Sequence, residues 1–78
     1  MQPIEVTAHF SIEGKATPLR FTWKNSVYQI ESTGRRWTNE DGLHILVMAL
    51  GGRMFELLFV CTEGRWYLAR AETGRLVA

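Results

Sequence analysis

From Ile4 to Ile12 the chain alternates without a break: Ile4, Val6, Ala8, Phe10 and Ile12 are apolar, and Glu5, Thr7, His9 and Ser11 between them are polar. Successive side chains of a β-strand point to opposite faces, so period two marks a strand with one buried face. A buried helix face would need apolar residues at i, i+3, i+4 and i+7, and no window of the sequence sustains that spacing. There is no internal repeat, low-complexity segment or linker. A chain of 78 residues holds material for one core and not for two. Residues 1–78 therefore read as a single small β domain. Its nine aromatic residues (three Trp, two Tyr, four Phe) supply the large side chains such a core depends on, and Trp23, Trp37 and Trp66 are expected inside.

The rest of the chain parses into strands and turns. Glu13-Gly14-Lys15-Ala16-Thr17 forms a loop, and Pro18, which has no N–H to donate, opens the second strand. Residues 19–24 and 27–33 form a hairpin about Asn25-Ser26, which would set Trp23 opposite Tyr28, Phe21 opposite Ile30, and Arg20 opposite Glu31. Residues 34–42 read as an irregular, exposed connection. Gly51-Gly52 is the strongest turn signal, because glycine tolerates positive φ at both central positions. A two-residue turn there pairs Met48 with Phe55, Leu46 with Leu57, and Val47 with Glu56. Cys61-Thr62-Glu63-Gly64 then leads into a last strand from Arg65 to Ala71, with Trp66 beside Phe59 and Leu68 beside Leu57. The fold expected is all-β: about six antiparallel strands in a meander, curled into a small barrel or roll.

In this register Leu43, Ile45, Val47, Leu58, Val60 and Tyr67 share a second face too apolar to stand in water. Barrel closure or a partner would cover it. Arg70 falls on the side of Trp66 and Leu68, where it must reach the rim or find a counter-charge.

Few chemistries are available to these residues. Cys61 is the only cysteine, which excludes an internal disulfide and a zinc site with two thiolates from one chain, and a reducing, cytoplasmic setting fits. The amino terminus lacks the pattern of a signal peptide, and no stretch reaches the roughly 18 apolar residues of a spanning helix. No cofactor or metal is expected, and no membrane association. The net charge of +1 is too small to imply a polyanionic partner by bulk charge. No nucleophile elbow or phosphate loop is present, so an enzyme is not expected. His9 reads as a solvated side chain, His44 as a hydrogen-bonded structural histidine, and Cys61 as a small packed residue.

Arginine interleaved with aromatics is the remaining signal: Arg20-Phe21-Thr22-Trp23-Lys24, Arg35-Arg36-Trp37, and Arg65-Trp66-Tyr67 through Arg70. Such mixtures suit single-stranded nucleic acid, with bases stacked on rings and guanidinium groups on phosphates. The plainer reading is that the tryptophans fill the core and the arginines pair with Glu31, Glu56, Glu63 or Glu72 across strands. Arg35-Arg36 lies outside the proposed ladders with no acidic partner, which makes Arg35, Arg36 and Trp37, with Arg70, the candidate nucleic-acid surface.

The string Arg20-Phe21-x-Trp23, Tyr28, Trp37, Phe55-Glu56-Leu57 and Gly64-Arg65-Trp66-x-Leu68-x-Arg70 resembles a small bacterial family of domains of unknown function. Some members of that family are associated with genes for lesion-bypass DNA polymerases, which implies a DNA-repair setting and no catalytic residues. The expected function is a non-enzymatic binding module for nucleic acid. The alternative is a protein-interaction or homodimerisation module using Ile45, Val47, Leu58, Val60 and Tyr67, or an open strand edge.

Overall fold

The alternation at the amino terminus becomes β1 (Gln2–Phe10), in which Ile4, Val6 and Ala8 pack toward the core and Glu5, Thr7 and His9 face solvent. Five strands follow: β2 (Ala16–Trp23), β3 (Ser26–Asn39), β4 (Gly42–Ala49), β5 (Met54–Val60) and β6 (Arg65–Ala71). The computed structural model describes residues 1–71. Within them each strand is antiparallel to the next, and β6 returns to pair with β1, so that of the barrel or roll expected the structure is a closed six-stranded barrel. Glu72, a partner expected for one of the arginines, lies outside the described residues.

Closure relies on two strands that each serve two neighbours at different points along their length. β1 pairs with β6 through Gln2, Pro3 and Ile4 and with β2 from Glu5 to Phe10. β3 pairs with β2 from Ser26 to Gln29 and with β4 from Ile30 to Asn39. Two irregularities bend β3, one at Glu31 and one between Thr33 and Arg36, each adding a residue that has no partner on β4. The segment 34–39, expected as an irregular loop, is therefore the second half of a strand, and the turn lies beyond it at Glu40-Asp41. An Asx turn fixes that turn: Asn39 Oδ1 accepts the Asp41 N–H at 2.8 Å.

Two hairpins differ from the expected register. The β2–β3 turn is Lys24-Asn25, with φ of 52° and 63°, the positive pair that a type I′ turn demands. Phe21 therefore pairs with Tyr28 and Trp23 with Ser26, two residues from the expected pairing. A shift of two preserves the faces, so Phe21, Trp23, Tyr28 and Ile30 remain together inside. The β4–β5 loop has three residues, Leu50-Gly51-Gly52, closed by Ala49 N–H to the Arg53 carbonyl at 2.9 Å. An odd loop length shifts the pairing by one, so Val47 meets Phe55, Ile45 meets Leu57 and Leu46 meets Glu56. The β5–β6 pairs Phe59 with Trp66 and Leu57 with Leu68 stand as expected.

With that register the interior fills with Phe21, Ile45, Val47, Phe55 and Leu57, each 2% exposed or less. Each such side chain contributes about 1.5–3 kcal/mol when fully buried. Trp66 joins them and Trp23 packs against the cluster, whereas Trp37, also expected inside, sits half-buried on the outer surface opposite His44. Pro18 is buried as the third residue of β2, next to a bulge at Leu19 that faces solvent.

Gly42 begins β4 at φ 142°, and a Cβ there would lie 2.5 Å from the Phe59 carbonyl oxygen and 3.2 Å from Leu58 Cδ1. The nearest obstacle is backbone, which cannot swing aside. Gly42→Ala should destabilise the domain by about 2 kcal/mol or more, read as a lower urea midpoint at unchanged slope.

Candidate functional site

The outer surface of β3 to β6 carries a continuous chain of contacts. The Arg35 guanidinium lies 5.1 Å from the centre of the Trp37 ring, and Trp37 stacks on His44 at 5.0 Å with an interplanar angle of 4°. His44 Nδ1 is 2.7 Å from Glu56 Oε2, and the other Glu56 oxygen is 3.3 Å from the Arg70 guanidinium. Strand pairing accounts for the order, since Trp37 is the partner of His44 and Glu56 the partner of Arg70. His44 Nε2 bonds Asn39 Oδ1 at 3.1 Å, the same oxygen that holds the Asp41 amide. Both ring nitrogens of His44 are thus engaged. Its expected structural role is what the geometry shows, and among the described residues no buried side-chain N or O lacks a partner.

Of the four residues expected on a nucleic-acid surface, Arg35, Trp37 and Arg70 share this outer face and Arg36 does not. Arg36 is the strand partner of Ile45, whose side chain is interior, and it donates to the Ala16 carbonyl at 2.9 Å. It bridges β3 to β2 where their ladder has ended. Arg70 stands outside, away from Trp66 and Leu68, because Ala69 is an extra residue in β6 that reverses the alternation after Leu68. Its side chain is 76% exposed.

The expected protein interface also divides. Ile45 and Val47 are fully buried in the barrel interior, a consequence of the three-residue β4–β5 loop, and cannot form a surface. Leu58, Val60 and Tyr67 alternate with interior residues and belong to the outer face, where Leu58 is itself 1% exposed. Leu46, Met48 and Met54 lie on this same face. A depression of about 430 Å³ opens there beside Leu46, Met54, Glu56 and Arg70. A second, of about 390 Å³, is bordered by Glu40, Asp41 and Glu63 around Leu58 and Tyr67.

A further cluster, at the end of the barrel where β2 finishes and β3 and β5 begin, had only part of its membership visible in sequence. Trp23, Tyr28 and Phe55 pack with centroids 5.1 to 6.1 Å apart. The Arg53 guanidinium lies over all three, at 5.9, 5.7 and 5.1 Å, and bonds the Tyr28 hydroxyl at 3.3 Å. The Lys24 ammonium is 4.8 Å from the Trp23 ring centre, and the Trp23 indole N–H donates to Gln2 at 3.0 Å. Arg20-Phe-x-Trp-Lys24 announced the β2 half. Arg53 was missed because it adjoins the Gly51-Gly52 turn and two of the rings it lies over, Trp23 and Tyr28, come from a different hairpin.

Cross-strand pairing of arginine with glutamate, the plainer expectation, is met among the described residues by Arg70 alone; Lys24, Arg35 and Arg53 have no carboxylate at salt-bridge distance there. His9 and Cys61 are exposed, the cysteine contrary to its expected packing. It stands in the β5–β6 turn. Among the described residues no three acidic, histidine or cysteine side chains are grouped to hold a metal ion, and no helix is long and apolar enough to cross a membrane. No family model, curated protein or solved structure matches this chain.

Glu56 and Arg70 should differ sharply on substitution. Glu56 is nearly buried, and Glu56→Gln would turn an amide NH₂ toward either His44 or Arg70, so unfolding in urea should show a loss of about 1–3 kcal/mol. Arg70→Ala removes an exposed partner and should cost under about 1 kcal/mol in the same measurement.

Tyr67 provides a second check. Its hydroxyl donates to Glu63 at 2.6 Å, and this bond, with a little desolvation and the Glu63 charge, raises the phenol above its ordinary value of 10.0 against the opposing pull of Arg65. A folded-state value above the unfolded one means that the bond's stabilisation is complete below the ordinary value and is lost as pH rises through the raised one. Phenolate absorbance should place Tyr67 above 10.0, and Glu63→Ala should bring it back down.

Proposed function

We propose that this domain is a non-enzymatic binding module for single-stranded nucleic acid, working in a reducing, cytoplasmic compartment. The supporting observation is that Arg35 lies over Trp37 on the outer face with no carboxylate partner among the described residues. A guanidinium on an indole provides both halves of single-strand recognition, a cation for phosphate and a π-surface for a base. Arg70, at the other end of the same contact chain, keeps most of its donors in solvent. The carboxylates of Glu40, Asp41 and Glu63 repel phosphate and bound the path on the side of the β3–β4 turn. A non-catalytic role is supported by His44, whose ring nitrogens are both committed to oxygen partners. The resemblance to domains found with lesion-bypass polymerase genes points toward a DNA context.

A second reading, a protein partner or second copy on the outer face, is favoured by one observation: Leu46, Met48, Met54, Val60 and Tyr67 stand partly or fully exposed together there. The two readings separate by salt. Oligothymidylate added to labelled protein at low ionic strength should move the amide signals of 35–37, and binding should weaken steeply with salt. Arg35→Gln should lower the slope of log affinity against log salt by about 0.7, the contribution of one single-strand phosphate. Unmoved signals at low salt, together with salt-insensitive self-association, would transfer the function to the apolar face.

A further inference from the structure

From the cluster at the barrel end we infer a second contact point: the half-buried rings of Trp23 and Tyr28, seated on Phe55, are a stacking site for an unpaired nucleobase, occupied in the free protein by Arg53. The inference rests on the nucleic-acid reading above and assigns it a base-binding subsite that is separate from Arg35 and Trp37.

The three rings are not coplanar: Trp23 meets Tyr28 at 42° and Phe55 at 76°, and Tyr28 meets Phe55 at 64°, so the faces a base can reach are those of Trp23 and Tyr28. Phe55 is buried beneath, Tyr28 stacks on Phe21 at 5.1 Å and 13°, and the Trp23 indole is held by Gln2 at 3.0 Å. The rings therefore cannot turn to cover one another when the cation above them leaves. Tyr28 and Trp23 are only half-buried, and Arg53 and Lys24 are exposed. What lies on the rings is a planar, delocalised cation at 5.1 to 5.9 Å, the kind of group whose place a planar heterocycle can take.

Arg53 is placed to exchange roles rather than to block. Its bond to the Tyr28 hydroxyl is long, at 3.3 Å, and no carboxylate among the described residues holds it. It follows Gly51 and Gly52, which stand in open space with nothing within 4 Å of a would-be Cβ. A base arriving on the rings displaces the guanidinium sideways, where it and Lys24 meet the phosphates flanking that base. An unstacked base is required, because a duplex keeps its bases' faces covered. Single strands should therefore bind in preference to duplex.

The test compares three probes at low salt: oligothymidylate, an abasic strand of equal length carrying the same phosphates, and a blunt duplex. The readout is the indole N–H signal of Trp23, resolved by NMR from those of Trp37 and Trp66. Stacking predicts that oligothymidylate moves the Trp23 signal, that the abasic strand binds at least tenfold more weakly and leaves that signal in place, and that the duplex behaves like the abasic strand. Arg53→Gln, with its thermal unfolding checked against the parent, should weaken oligothymidylate binding about three- to tenfold and flatten its salt slope. If oligothymidylate and abasic strand bind alike, or only the signals of 35–37 respond, the cluster is not a base site while the nucleic-acid reading stands. If no probe binds, both fall.

Discussion

Each strand of a six-stranded barrel must send alternate residues into an interior that a few rings and branched chains can fill, and everything at the surface depends on where that alternation is reset. Here it is reset by inserted residues. Leu19 in β2, Glu31 and the Gly34-Arg35 step in β3, and Ala69 in β6 each add one residue to one strand of a pair. An added residue returns the following side chain to the face it would have left. In unbroken alternation Arg70 would point into the core like Leu68; with Ala69 bulged, Arg70 turns outward and meets Glu56. The odd Leu50-Gly51-Gly52 loop acts in the same way on a whole hairpin, placing Phe55 and Leu57 inside and Glu56 out.

The polar chain on the outer face follows from those resets. Glu56 is nearly buried although it faces outward, and a carboxylate so placed is costly unless its oxygens are paired. His44 takes one oxygen and Arg70 the other, while Trp37 covers the imidazole. One consequence reaches Arg35, which lies against a ring fixed from below and so presents its charge at a defined place. The same division of labour holds at the barrel end, where Phe21 and Phe55 fix Tyr28 and Trp23 from beneath and the cations lie on top.

How much of this could be read in the residues alone depends on which physical signal was asked to carry it. Period two identified β1 and β6 as strands, because alternation is a local property that burial enforces, although it carried the buried face of the first strand on to Phe10 and Ile12, which are exposed. Register depended on turn chemistry, and there the reading was only as good as the loop. At Lys24-Asn25 the error was two residues and harmless to the faces. At Gly51-Gly52 it was one residue, which sent Ile45 and Val47 to a second face when they are core. Bulges were illegible altogether. An inserted Ala69 or Gly34-Arg35 leaves no mark in a hydrophobic pattern, and those two positions decide the side on which Arg70 and Arg36 emerge.

The fate of Arg36 shows why sequence proximity to a candidate site is a weak guide in a bent strand. Arg35 and Arg36 are neighbours beside one tryptophan, yet one projects outward and the other reaches across to Ala16 where the β2–β3 ladder has ended. There the second half of β3 has left β2 for β4, and the Ala16 carbonyl would otherwise lose a strand partner. A guanidinium serves well because its length spans the gap and its donors suit a lone carbonyl. The barrel thus uses one arginine of the pair to hold its seam together, which leaves the other available at the surface. A surface built from Arg35, Trp37 and Arg70 is possible because Arg36 was turned to the fold.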